Sequence, residues 1–275
     1  YRRPGPETNV AIPTPVESLP TAARSRRSLH PTTRAAGSCI LPGVSAAAAS
    51  SPAAVRDAAL RLLEGHLPGR VLDVPCGTGL LAVALSARGC GVRGLDLDPG
   101  PARRAGVDAS EADMEAALPV ASGAFDVVTC LEGIEHVEHQ AELLRELARA
   151  LVPDGVLVLS TPNVLGYPSR ASLARKGYAR FFRPLPPGGA TPFEHAHRHP
   201  IDVIRLEHLL REAGFAIEAY DGDAGPDGAT ASIARRLRRR LAVRALRAHN
   251  PRADLLLHPA IFHARVVAVR ARRVR

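Results

Sequence analysis

The stretch Val71-Leu-Asp-Val-Pro-Cys-Gly-Thr-Gly79 decides the fold of this chain. An apolar run that ends on Asp73 indicates a buried strand, and Gly77 and Gly79 indicate a tight turn that a ligand can approach closely. The next residues, from Leu80 to Arg88, follow a helical pattern. The stretch therefore predicts a strand–turn–helix unit that docks a nucleotide-like cofactor.

Two classes of cofactor fit this turn. Gly77-Thr-Gly79-Leu-Leu-Ala82 satisfies the dinucleotide pattern G-x-G-x-x-G/A, and Asp96 lies about 20 residues further on, where an acid binds a ribose hydroxyl. However, Asp73 directly precedes the turn, and a carboxylate there repels a pyrophosphate. It suits a ligand with positive charge, such as S-adenosylmethionine. The turn by itself is compatible with both.

Further motifs follow in order along the chain. Cys90 to Asp96 is predicted to be a second strand, whose terminal carboxylate can accept hydrogen bonds from both hydroxyls of an adenosine ribose. Ala112-Asp113-Met114 offers an acceptor for an adenine amino group and an apolar side chain that can lie on the ring. Phe125 to Cys130 is a candidate fourth strand, and Leu151 to Ser160 is a turn followed by a fifth.

Over roughly residues 52 to 220, these motifs resemble the class I S-adenosylmethionine-dependent methyltransferases. The resemblance implies an α/β fold with a Rossmann-like seven-stranded sheet, helices on both of its faces, and methyl transfer from S-adenosylmethionine. The implied cofactor-binding residues are Asp73, Gly77, Gly79, Asp96, Leu97, Asp113, Met114 and Leu131. Pro75 departs from the family, which usually has glycine at this position. Proline has no N–H to offer, so the amides of later turn residues must hold the ligand.

The sequence Glu132-Gly-Ile-Glu135-His136 stands where the fourth strand ends. In a helical turn, Glu132 and His136 would share a face at i and i+4, with Glu135 beside His136. Two carboxylates and an imidazole can hold Mg²⁺ or Mn²⁺, and such a metal lowers the pKa of a bound hydroxyl. Direct catalysis by His136 and Glu135, and a purely structural role for the group, are the alternatives.

The same spacing, followed by Ser160-Thr-Pro-Asn163 and a later histidine, resembles two groups within the class. These are the small-RNA 3′-end 2′-O-methyltransferases and the ubiquinone-pathway O-methyltransferases, in which the motif is associated with a metal and a vicinal diol. The implied metal ligands are Glu132, Glu135, His136 and His197. His195 and His199 are close rivals of His197. Overall, the chain is most similar to bacterial methyltransferases often linked to saccharide or cell-envelope metabolism.

The function implied is O-methylation of a small hydroxyl compound such as a saccharide, polyol or quinone precursor, with or without a divalent metal. An RNA 2′-O-methyltransferase is an alternative, because the pattern from Arg235 to Arg247 predicts an arginine-rich helix. The aromatic content of 4% argues against stacking on bases, so nucleic acid is not favoured. A non-catalytic domain that binds the cofactor is a third hypothesis, and the intact glutamate–histidine motif argues against it.

Charge is placed unevenly along the chain. The formal charge is +9, but residues 1–50 carry +4 and residues 231–275 carry +12, which leaves −7 for the middle. Basic flanks could attract nucleic acid or an anionic membrane surface. Lys176 is the only lysine, so the arginine excess also fits coding bias and a solvated basic face.

Cysteine usage and hydropathy narrow the class of protein. The four cysteines lack C-x-x-C spacing, which indicates neither a disulfide framework nor a zinc site. An apolar run of the roughly 18 residues that span a bilayer is missing from the sequence. A cytoplasmic protein in a reducing compartment is the default expectation.

The chain is predicted to form one domain behind a leader. Residues 1–50 are rich in Pro, Ser, Ala, Thr and Arg and are predicted to be a disordered or processed leader, and residues 51–275 form the methyltransferase domain. Ser51-Pro52 begins the first helix, and a later helix continues through Leu151 up to Pro153. Residues 164–200 form an irregular loop or lid over the substrate, and residues 231–275 hold a basic helix and the last strand.

Overall fold

A seven-stranded sheet carries the fold in the computed structural model, which describes residues 53–184, 197–223, 243 and 246–274. The strands are β1 (Arg70–Asp73), β2 (Gly91–Asp96), β3 (Asp108–Glu111), β4 (Phe125–Leu131), β5 (Leu151–Pro162), β6 (Phe215–Gly222) and β7 (Val266–Arg273). Their order is β3-β2-β1-β4-β5-β7-β6. The first five strands pair in parallel, and β7 lies antiparallel between β5 and β6. The predicted Rossmann-like α/β sheet is confirmed.

Helices cover both faces of this sheet. They are α1 (Ala53–Leu62), α2 (Leu80–Ser86), α3 (Gly100–Arg104), α4 (Gln140–Ala150), α5 (Tyr167–Lys176), α6 (Val203–Glu212), α7 (Ala253–Leu257) and α8 (Pro259–Phe262). Successive strand residues point to opposite faces, so Val71 packs in the core under α1 and α2 while Leu72 packs with α4 and α6. The two apolar layers hold the strand ends in fixed positions.

The carboxyl edge of the sheet is where the predicted site residues meet. The parallel strands β1, β2, β4 and β5 all end at this edge. Because β7 is antiparallel to β5, its first residue Val266 lies opposite Pro162, the last residue of β5. The segments that precede β7 therefore reach the same edge, which is where open α/β sheets bind ligands.

Two predicted boundaries were wrong. The helix predicted through Leu151 ends at Ala150, because Leu151 is already extended and enters β5. Residues 164–200 are not irregular throughout, since α5 occupies Tyr167–Lys176. Proline in its first turn and Gly177 in the left-handed region after its last residue are ordinary helix boundaries, although in the sequence they resemble loop residues.

Several predictions fall on residues outside those that the structure describes. They are the leader of residues 1–50, the Ser51-Pro52 helix start, His195 and most of the arginine-rich helix near Arg235. Within the described ranges, none of the helices has both the length and the apolar character needed to cross a membrane.

Candidate functional site

The turn between β1 and α2 requires glycine at two positions. Gly77 and Gly79 adopt positive φ values of 51° and 79°. A Cβ atom on Gly79 would lie 2.9 Å from Cγ2 of Val107 and 3.1 Å from Cα of Ala102. The turn therefore packs its backbone closely against the neighbouring β–α unit.

Asp73 ends β1 as a buried carboxylate, with 2% of its surface exposed. The hydroxyl of Thr129, its partner in the β1–β4 register, donates to Oδ1 at 2.6 Å. Burial raises the pKa of Asp73 to about 7; the Thr129 hydrogen bond lowers it, and the charge of Asp96 raises it further. A positively charged ligand beside Asp73 would relieve this cost of burial.

Asp96 ends β2 and connects that strand to the glycine turn. Its Oδ2 accepts a hydrogen bond from the amide of Gly77 at 2.8 Å, and its Oδ1 accepts from the amide of Asp98 at 3.1 Å. Each carboxylate oxygen retains a further lone pair for a ribose hydroxyl. The predicted ribose acid and the predicted turn are therefore one hydrogen-bonded unit.

The predicted adenine residues follow β3. The amide of Ala112 donates to the carbonyl of Asp96 at 2.9 Å, which brings this loop beside the ribose acid. Asp113 is exposed and accepts from the amide of Glu115 at 2.9 Å, while Met114 is half-buried against the core. Leu97, just after β2, is 59% exposed, as expected of an apolar side chain that a bound base would cover.

Glu132 lies outside the helical turn predicted for it. It follows Leu131, a buried residue at the end of β4, and has a positive φ of 51°. Its amide donates to the carbonyl and the hydroxyl of Ser160, both at 3.1 Å. A 3-10 turn begins only at Ile134 and ends at His136. The predicted i, i+4 pairing of Glu132 with His136 was wrong, because Ser160 holds Glu132 before the turn starts.

Three of the four predicted metal ligands come together. Glu135, His136 and His197 each offer a ligand atom, and these atoms lie within 4.8 Å of one another. The rings of His136 and His197 meet edge to face, with their centroids 4.9 Å apart. Glu132 does not belong to this group. The geometry thus joins a carboxylate and two imidazoles, a donor set suited to a divalent transition metal such as Mn²⁺.

Glu135 is a fully buried carboxylate whose oxygens both lack a hydrogen-bond partner in the structure. Burial raises its pKa to about 8, and the charge of Glu132 raises it further. The hydroxyl of Thr161 is near enough to lower this pKa, but the two side chains do not meet the geometry of a hydrogen bond. Such a carboxylate is costly unless a cation or a proton balances it, so these residues fit a bound metal.

Hydrogen bonds to the neighbouring backbone hold the segment of His197 beside the cluster. The side chain of Gln140 donates to the carbonyls of Ile134 and His199, at 3.2 and 3.0 Å. The amide of His199 donates to the carbonyl of Glu135 at 3.1 Å. Burial lowers the pKa of His197, which favours the neutral imidazole that a metal needs. His199 therefore serves through its backbone in this cluster.

Comparison with known proteins gives the family. Residues 48–220, more than half of the chain, match a family model described as a methyltransferase domain. The chain belongs to this family. Solved structures of S-adenosylmethionine-dependent methyltransferases from Mesorhizobium loti and Thermotoga maritima share its fold, with TM-scores of 0.50 each and identities of 22% and 19%. They cover 78% and 79% of this chain and 98% and 88% of their own. The predicted class I methyltransferase assignment is confirmed.

Curated relatives of this methyltransferase are named ubiquinone biosynthesis O-methyltransferase. The protein of Xanthomonas euvesicatoria pv. vesicatoria (strain 85-10) is 35% identical over 162 residues, which are 56% of this chain and 65% of the relative. That of Xanthomonas campestris pv. campestris (strain B100) is 35% identical over 166 residues, or 57% and 66%. The matched region spans slightly less than two thirds of these relatives.

Sequence reasoning missed two polar residues of this methyltransferase domain. Thr129 holds Asp73, and Gln140 ties the segment of His197 to the 3-10 turn. Only one signal for them was present in the sequence: Thr129 in β4 and Gln140 in α4 are polar residues at positions that the apolar pattern of the element predicts to be buried. Asn163 of the Ser-Thr-Pro-Asn motif has another role: its Nδ2 donates to the carbonyls of Ile261 and Ala264, which fixes the segment before β7.

Proposed function

We propose that this protein transfers a methyl group from S-adenosylmethionine to an oxygen of a small hydroxyl compound, such as a quinone precursor, saccharide or polyol. We further propose that Glu135, His136 and His197 hold a divalent cation, Mg²⁺ or Mn²⁺, that assists the reaction. The observation that carries the proposal is the gathering of these three side chains within 4.8 Å at the carboxyl edge of the sheet.

The cofactor residues fit S-adenosylmethionine better than a dinucleotide. When bound, S-adenosylmethionine supplies an electrophilic methyl group on a positively charged sulfur. Asp73 is a buried carboxylate beside the turn, and its charge favours a cationic ligand and opposes a pyrophosphate. Asp96 would bind the ribose hydroxyls, Asp113 and Met114 the adenine, and Gly77 and Gly79 the methionine side.

The acceptor residues fit an alcohol, which is a poor nucleophile at neutral pH. A divalent cation would lower the pKa of the acceptor hydroxyl and fix its direction. Glu135 would balance that charge with a carboxylate that has no other hydrogen-bond partner, and His197 would offer a neutral ring nitrogen. The ring of His136 meets that of His197 edge to face. In the proposed metal site His136 is a cation ligand; in the alternative reaction without a metal, it is the base that orients the hydroxyl and takes its proton.

The similarity to proteins named ubiquinone biosynthesis O-methyltransferase supports an oxygen acceptor and a small molecule. A vicinal diol would suit a cation held on one side by three protein ligands, because two adjacent oxygens can occupy neighbouring open positions. The acceptor class that we favour is therefore a compound with adjacent hydroxyl groups.

In the test, the purified protein is incubated with labelled S-adenosylmethionine and extract fractions from its source organism, and the labelled product is identified by mass spectrometry. We expect a methyl ether of a small hydroxyl compound. Labelling of RNA, or of nitrogen or carbon atoms alone, would contradict the proposed acceptor class. The assay is repeated with a chelator and with added Mg²⁺ or Mn²⁺.

Metal binding is tested separately by calorimetry on two matched variants. Glu135→Gln should abolish binding of Mg²⁺ or Mn²⁺, whereas Glu132→Gln should retain most of it, because only Glu135 belongs to the cluster. Undiminished binding in Glu135→Gln would exclude this site. If the wild-type protein binds neither cation and its activity survives the chelator, the metal part of the proposal is wrong.

A further inference from the structure

Glu115 caps the start of α4 from another part of the chain. Its Oε1 accepts from the amide of Glu138 at 2.5 Å, and its Oε2 accepts from the amide of His139, the N-cap residue of α4, at 3.4 Å. In a capping box, the third residue of the helix accepts from the N-cap amide. In α4 that residue is Glu142, which instead pairs with Arg145 at 3.7 Å. The start of α4 is therefore bonded to a residue 23 positions earlier in the chain.

The β3–β4 loop (residues 112–124), which contains Glu115, also carries the proposed adenine residues. The carboxylate of Asp113 accepts from the amide of Glu115 at 2.9 Å, and Met114 between them is half-buried against the core. A second contact joins the loop to the body of α4, where the carboxylate of Glu146 accepts from the amide of Leu118 at 2.9 Å. A ligand on this loop would therefore bind to a segment that is hydrogen-bonded to α4 at two points.

The start of α4 is in turn bonded to the proposed metal cluster. Gln140, the first residue of the helix, is buried and donates to the carbonyls of Ile134 and His199, at 3.2 and 3.0 Å. The amide of His199 donates to the carbonyl of Glu135 at 3.1 Å. The position of Gln140 therefore determines how the 3-10 turn and the segment of His197 lie against each other.

These contacts form a continuous series from the β3–β4 loop to the cluster. Glu115 is exposed to solvent, whereas Gln140 is 6% exposed. An exposed hydrogen bond holds its partners only weakly while the loop that carries it is free to move, because forming the bond must also order the loop. A ligand that orders the loop has already met that cost, so the contacts of Glu115 become more effective when the ligand is bound.

We propose that Glu115 is a positioning residue that transmits the binding of S-adenosylmethionine on the β3–β4 loop to the segments that carry Glu135 and His197. The cofactor then raises the affinity of the cluster for a divalent cation, and the cation raises the affinity for the cofactor by the same factor. This inference rests on the proposed function, because it couples the two halves of the same site. It implies that the acceptor half takes its final geometry after the cofactor has bound.

Hydrogen exchange tests the transmission without a metal. It is measured on the full chain with and without saturating S-adenosylmethionine, for the amides of residues 134–143 and 197–199. In the wild-type protein, we expect the cofactor to slow their exchange at least about fivefold. Glu115→Met removes both acceptor oxygens and should lose this protection, and Glu115→Gln, which keeps one, should retain part of it. Glu111→Met is the matched control, because it removes the same charge from an exposed position at the end of β3.

Calorimetry with Mn²⁺ tests the consequence for the cluster. In the wild-type protein and in Glu111→Met, we expect saturating S-adenosylmethionine to lower the Kd for Mn²⁺ about 5- to 20-fold. In Glu115→Met, the ratio of the two Kd values should be close to one. A merely structural role of Glu115 would lower the melting temperature and weaken both ligands, but it would leave this ratio as in the wild type.

The inference is overturned if the cofactor leaves the exchange of both segments unchanged in the wild-type protein, or if Glu115→Met keeps the wild-type protection. It is also overturned if Mn²⁺ binds equally well with and without the cofactor, although the proposed metal site would then stand. The metal proposal fails in a different way. Protection that is transmitted through Glu115 in a protein that never binds Mn²⁺ supports the positioning role and counts against the metal.

Discussion

The ring of Pro75 packs directly against the backbone of Gly133. A Cβ atom on Gly133 would lie 2.5 Å from Cδ and 3.1 Å from Cγ of Pro75. The turn proposed to bind the cofactor and the Glu132–His136 segment proposed to bind the acceptor are therefore in contact. Pro75, which stands where the family usually has glycine, fills the space beside Gly133. Gly133 has a φ of −109°, so its backbone would accept alanine and only the contact requires glycine.

Gly133→Ala should destabilise the protein by about 1–3 kcal/mol, as overpacking of a close contact does. The free energy of unfolding in urea measures this. Gly91→Ala is the matched control, because a Cβ there meets no atom within 4 Å. Combining Gly133→Ala with Pro75→Ala should recover most of the loss relative to Pro75→Ala alone. An equal loss in both backgrounds would show that Pro75 is not the obstacle.

Cofactor binding should depend on the ionisation of Asp73. Its pKa is raised to about 7 by burial, and a cationic ligand binds the ionised form. We expect the Kd for S-adenosylmethionine to rise as the pH falls below about 7, by up to about tenfold per pH unit, with proton uptake by the free protein. Thr129→Val removes a hydrogen bond that lowers this pKa and should shift the dependence to higher pH. A flat Kd across this range would contradict the assignment.

The same carboxyl group should make the cofactor-free protein less stable at high pH. Because its folded pKa is raised, Asp73 contributes stability that is present below its ordinary pKa of 3.8 and is lost as the pH rises through about 7. Asp73→Asn should therefore raise the free energy of unfolding above neutral pH by about 2–4 kcal/mol and leave it unchanged near pH 4. Unfolding in urea, measured near pH 4 and above neutral pH for both proteins, gives these free energies. A gain of equal size at low pH would mean that burial of the charge is not the cause.

Asp96→Ala should weaken cofactor binding at least about 30-fold, since it removes both acceptors for the ribose and the contact that steadies the amide of Gly77. Asp108→Ala, an exposed carboxylate that pairs with Arg93 in the neighbouring strands, should bind the cofactor normally. Calorimetry gives both dissociation constants. An unchanged value for Asp96→Ala would refute the ribose role.

Gln140→Met should weaken metal binding about 10- to 100-fold without changing cofactor affinity. Methionine fills the buried position but cannot donate to the carbonyls of Ile134 and His199. The segment that carries His197 therefore loses the hydrogen bonds that link it to the 3-10 turn. Glu142→Met, at an exposed position of the same helix, is the control. Equal losses of metal and cofactor binding would indicate general unfolding and not a local effect on His197.

Local patterns were sufficient for much of the fold. The apolar run of β1 and the glycines after it predicted the cofactor turn, because strand burial and positive φ depend on neighbouring residues. The helix α5 was missed, since glycine and proline at its ends resemble those of a loop. The position of Glu132 was mispredicted because Ser160, 28 residues away, captures its amide. Contacts of this kind leave no periodic trace in the sequence.

The sequence by itself predicted the proposed cofactor half of the site. Two adjacent strands end in Asp73 and Asp96, and the glycine turn follows the first of them. The chemistry of these residues can be deduced from the sequence alone. Only the tertiary structure decided the proposed acceptor half, where Glu135 and His197 meet although α4, β5 and α5 lie between them in the chain. The physical reason is that parallel packing brings distant loops to one edge of the sheet. There, burial removes the water that would otherwise solvate the carboxylate of Glu135.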